Sequence, residues 1–294
     1  MRKLTVTAVL LMALGPASTA SAQAWTKDAG TGYVNLSLSL LAGDRVFGTD
    51  FESREIASTY RQTSVGLYAE YGVVDRWLTL TANAELYRRN ALDDQGATQG
   101  LGDFRLGLWS GLVTAPFRVT AGLLVGLPTG DSQPSAGAGA DSDAELIANS
   151  LPTGDGEWDF EPTVIVGHSF GAGGSGWPLR HFATLRAGYW ARTKGFTDAV
   201  TYQAELGTQV PLPFADRFWL ILRLRGVESL AGQGAVQSGF AGLGDGVTYT
   251  AIAGELQGRI WRGLAASVSY DTSFRARGII AAAPIKFALS WQFD

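Results

Sequence analysis

Leu78-Thr79-Leu80-Thr81-Ala82-Asn83-Ala84-Glu85-Leu86 alternates apolar and polar residues without a break, and this period of two decides the fold. Successive side chains of a strand point to opposite faces, so the stretch makes a ribbon with one apolar and one polar side. Wound as a helix, the same leucines would spread around the whole circumference and no face would be apolar.

The pattern recurs along the chain. Taken at every second residue, apolar sets run through Val34–Leu40, Val65–Tyr71, Phe104–Leu108, Phe117–Leu127, Phe160–Val166, Ala183–Tyr189 and Val200–Leu206. Four more run through Phe218–Leu224, Ile252–Ile260, Leu264–Phe274 and Ile285–Phe293. With Leu78–Leu86 they make twelve strands of about ten residues, the length a tilted strand needs to cross a bilayer. Arg, Lys, Asp and Glu within these strands fall almost entirely on the other parity. An arginine facing lipid at mid-bilayer costs about 2–4 kcal/mol, which is the pressure that sorts charge in this way. A soluble β-sandwich also has apolar strand faces, but its strands average about 5–6 residues and it needs no charge-free outer band.

Composition agrees. Charged residues make up 17% of the chain and glycine 38 of 294 residues, against roughly 25% and 7% in soluble domains. The mean hydropathy is only +0.07, because alternation averages an apolar face with a polar one. Cysteine is absent, which excludes disulfides, thiolate metal sites and cysteine nucleophiles. A net charge of −4 lacks the basic excess of a nucleic-acid binder.

Arg2 and Lys3, the apolar run Leu4–Leu14, the break at Gly15-Pro16 and the small residues Ala20-Ser21-Ala22 form the three-part pattern of a secretory signal peptide cleaved after Ala22. Residues 23–294 then form one domain, with net charge −6. No later window is long and apolar enough for a transmembrane helix. The expected fold is therefore all-β: an antiparallel up-and-down transmembrane barrel of twelve strands in the bacterial outer membrane. Its even strand number places both termini on the periplasmic side.

Connections should alternate in length. Short ones are expected near Gly72–Arg76, Thr114–Pro116, Gly171–Arg180, Pro211–Arg217 and Trp261–Gly263. Long ones are expected near Ala42–Ser58, Arg88–Gly100, Pro128–Glu157, Thr193–Asp198, Glu228–Gly246 and Ala276–Ala283. Aromatic belts should follow, with Tyr71, Trp77, Phe117, Trp177, Phe214, Phe218, Trp261, Trp291 and Phe293 by the short turns. Tyr60, Tyr87, Trp158, Tyr202, Tyr249 and Phe274 should lie by the long loops.

The inward parity carries acids and bases together: Glu70, Glu85, Asp103, Glu161, Glu205, Glu255 and Asp271 with Arg105, Arg118, Arg186, Arg223, Arg225, Arg259 and Lys286. Glu85, Arg105, Arg118, Arg186, Glu205, Arg223, Arg225 and Glu255 are the candidates for a solute path. Strand order predicts Glu205 opposite Arg223 or Arg225, Glu255 on the next ladder and Arg186 on the far side of Glu205. Two readings stay open: a polar constriction that selects solutes, or ion pairs that fill and neutralise a narrow interior.

Catalytic chemistry is not expected. A serine nucleophile needs a histidine base and a third group to orient it, whereas His168, beside Ser169, falls on the outward parity near a short turn and His181 follows Arg180 at a strand start, so both read as interfacial residues. Two histidines give no metal signature, and Asp131, Asp141, Asp143 and Asp155 read as a solvated loop. The longest loop carries a repeat, Leu127-Pro128-Thr129-Gly130-Asp131 and Leu151-Pro152-Thr153-Gly154-Asp155, each copy expected to shape a turn beside a strand. Between them, Ala144–Asn149 would make one helical turn, as a lid over the pore or as plain surface loop.

Gly100-Leu101-Gly102-Asp103 opening a strand, the hairpin after it, and Leu127-Pro128-Thr129-Gly130-Asp131 closing the next strand resemble a family of outer-membrane proteins named for transport in the meta-cleavage pathway of phenol degradation. Tyr71-Gly72 with Asp75-Arg76-Trp77 resembles the same family's first turn, and the similarity covers about a fifth of the chain. The resemblance implies an outer-membrane barrel that passes small, often aromatic or hydrophobic compounds, with no catalytic residues and no cofactor. The expected function is thus a channel for small solutes, with outer-membrane lipid as its surroundings and a monomer as its expected state, an oligomer being left open. The alternative is a closed barrel acting through its long outer loops.

Overall fold

The computed structural model describes residues 24–93, 95–133, 151–171, 179–210, 218–230 and 241–294. The strands, in chain order, are β1 (Gly32–Phe47), β2 (Ser53–Val74), β3 (Leu78–Leu92), β4 (Gly96–Gly100), β5 (Phe104–Val113), β6 (Arg118–Leu127) and β7 (Asp159–Gly171). They continue with β8 (Arg180–Arg192), β9 (Ala199–Gln209), β10 (Phe218–Ser229), β11 (Thr248–Trp261), β12 (Leu264–Arg277) and β13 (Ile285–Phe293).

Every pairing between strands is antiparallel, and the sheet closes because β1 pairs with β13 on one side and β2 on the other, while β2 also pairs with β3. Closure pairs the strands of the wall on both sides, the way a sheet satisfies its backbone in lipid. Both β4 and β5 pair with β3, β4 against Arg88–Leu92 and β5 against Thr79–Ala84. They form one interrupted stave, so thirteen strands build the twelve-stave barrel that the alternation predicts. The N-terminus of β1 pairs with the C-terminus of β13, Gly32 opposite Phe293, at the end that carries the short turns.

The apolar parity faces outward, with Leu36, Leu80, Leu106, Leu185, Leu222 and Phe287 all exposed on the wall. Trp77, Phe117, Trp261 and Trp291 are exposed near the short turns, and Trp158 and Phe274 near the long loops. Tyr60 does not join that belt: it is completely buried, its hydroxyl donating to Asn90 Oδ1 at 2.9 Å.

Two expected long loops are strand instead. β1 and β2 run on as a paired ribbon to Phe47 and Ser53, well into the stretch 42–58, with a register shift between Gly43 and Arg45. Likewise β3 and β4 pair through most of 88–100. Polar residues such as Arg45, Arg54 and Glu55 mask these extensions in sequence, because a ribbon standing in water keeps no apolar face. The loop turn expected at 144–149 lies outside the described residues, as do Trp177 and Phe214.

A register shift between Val65 and Gly66, opposite Tyr87 and Glu85, changes the parity of β3 partway along. Strict alternation from Glu85 would send Tyr87 inward and Arg88 outward. A bulge adds one residue to one strand and reverses the faces beyond it, and Arg88 and Asn90 are accordingly buried while Arg89 is exposed.

Candidate functional site: the barrel interior

The interior has three levels. At the short-turn end lies a strap of chain that belongs to no strand. Lys27 to Gly30 are stitched to the β2–β3 turn: Lys27 N donates to Thr79 Oγ1 at 2.8 Å, Ala29 N to Asp75 Oδ1 at 2.7 Å, and Arg76 N to Lys27 O at 3.1 Å. Lys27 Nζ reaches Glu70 at 3.2 Å, and Tyr68 Oη donates to the same carboxylate at 2.7 Å. From that anchor the strap runs to β6, where Thr120 Oγ1 donates to Ala24 O at 2.9 Å.

Trp25 then sits among inward apolar side chains. Phe182, Trp219 and Ile221 pack on one side of it, and Trp109, Leu124 and Ile165 with Ala24 on the other. Beside it, the gap between Trp25, Tyr68, Glu70, Thr81 and Trp109 measures about 10 Å³, room for one water at most. The strap lies close to the wall because Gly167 and Gly72 offer no side chain: a Cβ on Gly167 would stand 2.5 Å from Ala24 Cβ, and one on Gly72 2.0 Å from Asp28 O.

The middle level is charged. Glu161, only 1% exposed, accepts from Arg105 Nη1 at 2.9 Å, Arg186 Nη2 at 2.8 Å and Thr201 Oγ1 at 2.6 Å, while Arg105 also reaches Asp159 at 3.0 Å. Further round the wall, on β9 to β12, Arg223 pairs with both Glu205 and Glu255, the latter at 2.7 Å, and Arg225 pairs with Asp271. Of the candidate residues, the structure thus gathers Arg105 and Arg186 around Glu161, and Glu205 and Glu255 around Arg223.

The ladder puts Arg223 directly opposite Glu205 as the strand order predicts, but Arg186 corrects the expectation. Its register neighbour on β9 is Gln203, and its guanidinium turns to Glu161 on β7 instead of Glu205, whose carboxylate Arg223 already holds. Glu85 pairs with Arg88 at 3.3 Å, near the long-loop end. Arg118 stands apart, at the first residue of β6 opposite Gly167, by the short-turn rim.

The third level is a lid at the long-loop end. Both copies of the Leu-Pro-Thr-Gly-Asp repeat converge on Asp103, whose carboxylate accepts from Gly130 N at 2.9 Å and Asp155 N at 2.6 Å. They also bind each other, Asp131 N to Thr153 Oγ1 at 2.9 Å and Thr153 N to Asp131 O at 2.8 Å. The repeat and the Gly-Leu-Gly-Asp segment are therefore halves of one clasp, which no turn reading of either copy foresees. A Cβ on Gly154 would meet Asp103 Oδ1 at 2.3 Å.

From the clasp, 151–157 reaches inward: Asn90 Nδ2 donates to Pro152 O at 2.6 Å, and Leu151 packs with Tyr60 and Ile280. Gly244 N donates to Asp155 Oδ1 at 2.6 Å, and Arg192 Nη1 to Gly244 O at 3.1 Å, so a second loop locks onto the first. Arg192 also pairs with Asp155 at 3.0 Å and with Glu157. Burial raises the Asp155 carboxyl and pushes Glu157 up to about 7, despite the opposing pull of Arg192. One Glu157 oxygen, Oε2, has no hydrogen-bond partner among the described residues.

Both histidines bond to wall or turn groups near the short-turn end. His168 stacks between Phe117 and Phe170 with Nδ1 3.1 Å from Pro116 O, and His181 Nδ1 lies 2.7 Å from Thr208 Oγ1. Sequence reading missed Arg88 and Asn90 because of the bulge, and Trp25 and Lys27 because they lie in no strand. Trp109, Ile165, Phe182, Trp219 and Ile221 were open to it, since each stands on the inward parity.

No family model matches the chain, and no curated protein matches it in sequence. Among solved structures, the chain is similar to an outer membrane channel from Pseudomonas putida F1 at TM-score 0.63 and 14% identity, over 94% of this chain and 100% of that one. The NanC porin (TM-score 0.47, 11% identity, 87% and 100% covered) and the KdgM porin in complex with disordered oligogalacturonate (TM-score 0.46, 6% identity, 89% and 99% covered) are more distant. The class that the fold defines, shared with that channel, is the closed antiparallel β-barrel. The molecule itself is a twelve-stave barrel of this class, with a strap across one mouth and a two-loop lid over the other.

Proposed function

We propose that the chain is a channel of the bacterial outer membrane that passes small solutes, made as a precursor whose residues 1–22 are removed. The observation that carries this reading is how the interior is closed. Both mouths are crossed by segments that belong to no strand, Ala24–Gly30 and 151–157, held to the wall by hydrogen bonds and ion pairs together with the apolar contacts of Trp25 and Leu151. Between them the wall is polar and charged, the property that selects solutes in a pore.

Glu85, Arg105, Arg118, Arg186, Glu205, Arg223, Arg225 and Glu255 line the proposed path. Acids and bases alternate along it, so passage favours neutral or weakly charged molecules over strongly charged ones. The sequence resemblance adds small aromatic or hydrophobic compounds as the solute class. Membrane lipid on the outer wall and small solutes within are the only partners the reading needs, and a monomer is sufficient because a closed sheet leaves no edge to pair.

Reconstitution tests it. Purified protein in planar bilayers is expected to show small, intermittent conductance, and proteoliposomes to admit small aromatics faster than sugars of equal mass. Silent bilayers together with impermeable liposomes would overturn the channel reading in favour of a closed barrel working through its loops.

A further inference from the structure

We propose that the apolar ring formed by Trp109, Leu124, Ile165, Phe182, Trp219 and Ile221 is a binding site for planar aromatic solutes, and that Trp25 is its built-in occupant. The inference deepens the channel reading and rests on it for its place in transport. The binding itself is read separately.

The ring is out of place in a polar lumen. Inward parity in a solute path calls for polar side chains, yet Trp109, Phe182 and Trp219 are large apolar groups, each less than 9% exposed. They pack around Ala24 and the indole of Trp25, which stands edge-on to Phe182 with centroids 6.2 Å apart and planes at 81°. Such edge-to-face contact is the preferred meeting of aromatic rings.

The ring also has a polar roof. Arg186 lies over the Trp109 ring at 5.8 Å, and its guanidinium continues to Glu161. Trp109 Nε1 donates to Thr81 Oγ1 at 3.0 Å, so its indole is fixed in orientation. A flat aromatic solute seated here would have apolar walls, rings at its edge and a cation with hydroxyls above it, an apolar pocket with a few placed polar groups.

Trp25 is attached in a way that lets it leave. Its side chain belongs to a strap whose other anchors, from Thr26 Oγ1 donating to Arg76 O through Lys27 to Gly30, lie at the β2–β3 turn, and among the described residues the tip is held by one hydrogen bond, from Thr120 to Ala24 O. Withdrawal of Ala24 and Trp25 therefore breaks few bonds and uncovers the whole ring. Tethered at the mouth, Trp25 competes with solute at a high effective concentration, so the mouth opens only where aromatic solute is plentiful.

The test uses 5-fluoroindole as probe, with fluorine NMR on the full mature chain in detergent. Trp25→Ala is expected to bind the probe saturably and at least about tenfold tighter than wild type, the difference being the competition that the tether imposes. Deleting residues 24–26 should do the same if the single variant folds poorly. Adding Phe182→Ala to Trp25→Ala should abolish saturable binding and leave only partition into detergent. Equal affinity in wild type and both N-terminal variants, or binding that survives loss of Phe182, would overturn the site. Conductance is recorded in parallel: silent bilayers with saturable binding would sink the channel reading alone, and conducting variants without saturable binding would sink this inference alone.

Discussion

Arg192 Nη2 lies 3.0 Å from Asp155 Oδ2, and the arginine side chain is 2% exposed. That single guanidinium joins three pieces of chain: the end of β8, the segment 155–157 and, through Gly244 O, the loop before β11. It also lies over the rings of Trp190 and Phe196 at 4.4 and 4.5 Å. The lid is thus organised around one buried cation.

Arg192→Met keeps the packing volume and removes the charge. Two buried carboxylates then lose their counter-ion, and breaking a buried pair from one side costs about 3–5 kcal/mol. The cost falls on the lid, since Asp155 and Glu157 escape it by moving into solvent. Hydrogen exchange at residues 151–158 and 244–246 is expected to accelerate by two orders of magnitude or about that, while the thermal unfolding of the barrel stays put. Unchanged exchange at both segments would refute the hub.

Acid should tighten the lid. Glu157 rises to about 7 when the lid is closed, through burial, and its ordinary value is 4.5. The closed lid therefore binds the extra proton, so this contribution to closure is complete below the ordinary value and is lost as pH rises through about 7. The groups facing Glu157 are Arg192, Asp155 and Asp159, and Asp155 shifts in the same direction through its own burial. Exchange at 151–158 is expected to slow about tenfold or more between pH 8 and pH 5 after correction for intrinsic rates. Glu157→Gln should flatten much of that dependence; the same slope in the variant would dismiss the assignment.

Glu161 holds two guanidiniums, so its replacement by alanine leaves Arg105 and Arg186 facing each other without it. Loss of about 3–5 kcal/mol follows from the same rule for buried pairs, seen as a lower temperature of heat modification on gels. Glu161→Gln keeps hydrogen-bond acceptors and should cost less. Both variants add one positive charge to the lumen, and the reversal potential in a salt gradient should shift toward anion selectivity. A shift toward cations would show that these charges do not face the permeating ions.

The wall of this barrel was legible because lipid imposes a rule on every second residue. Leu78 to Leu86 obeys it, and so does each of the other apolar sets. Legibility fails where the rule lapses. The ribbon of β1 and β2 beyond the closed wall, around Arg45 and Glu55, has no apolar outer face and so shows no period. The bulge beside Gly66 reverses the parity of Arg88 and Asn90, and nothing in residues 85–90 announces it. Ion pairing was partly readable: Glu205 with Arg223 follows from strand order, whereas Arg186 with Glu161 depends on side-chain reach across a tilted ladder. The strap and clasp were invisible as functional parts, because Trp25 and the Leu-Pro-Thr-Gly-Asp repeat act on residues far away in sequence.

Glycine separates the strap from the wall experimentally. A Cβ on Gly167 would meet Ala24 Cβ at 2.5 Å and Trp25 ring carbons at 3.1 and 3.2 Å, so its three nearest contacts all belong to the strap. A Cβ on Gly188 would instead meet Thr201 Oγ1, Glu161 Oε1 and Thr163 Oγ1 at 2.6 to 2.7 Å, all of them wall residues in the charged belt. Gly167→Ala should therefore lift Ala24 and Trp25 away from the ring and raise conductance with barrel stability intact, because the strap can yield and the wall is untouched. Gly188→Ala should lower barrel stability by about 1–3 kcal/mol through overpacking and leave the strap seated. Conductance that rises in Gly188→Ala but not in Gly167→Ala would place the closing element in the charged belt and not at the short-turn mouth.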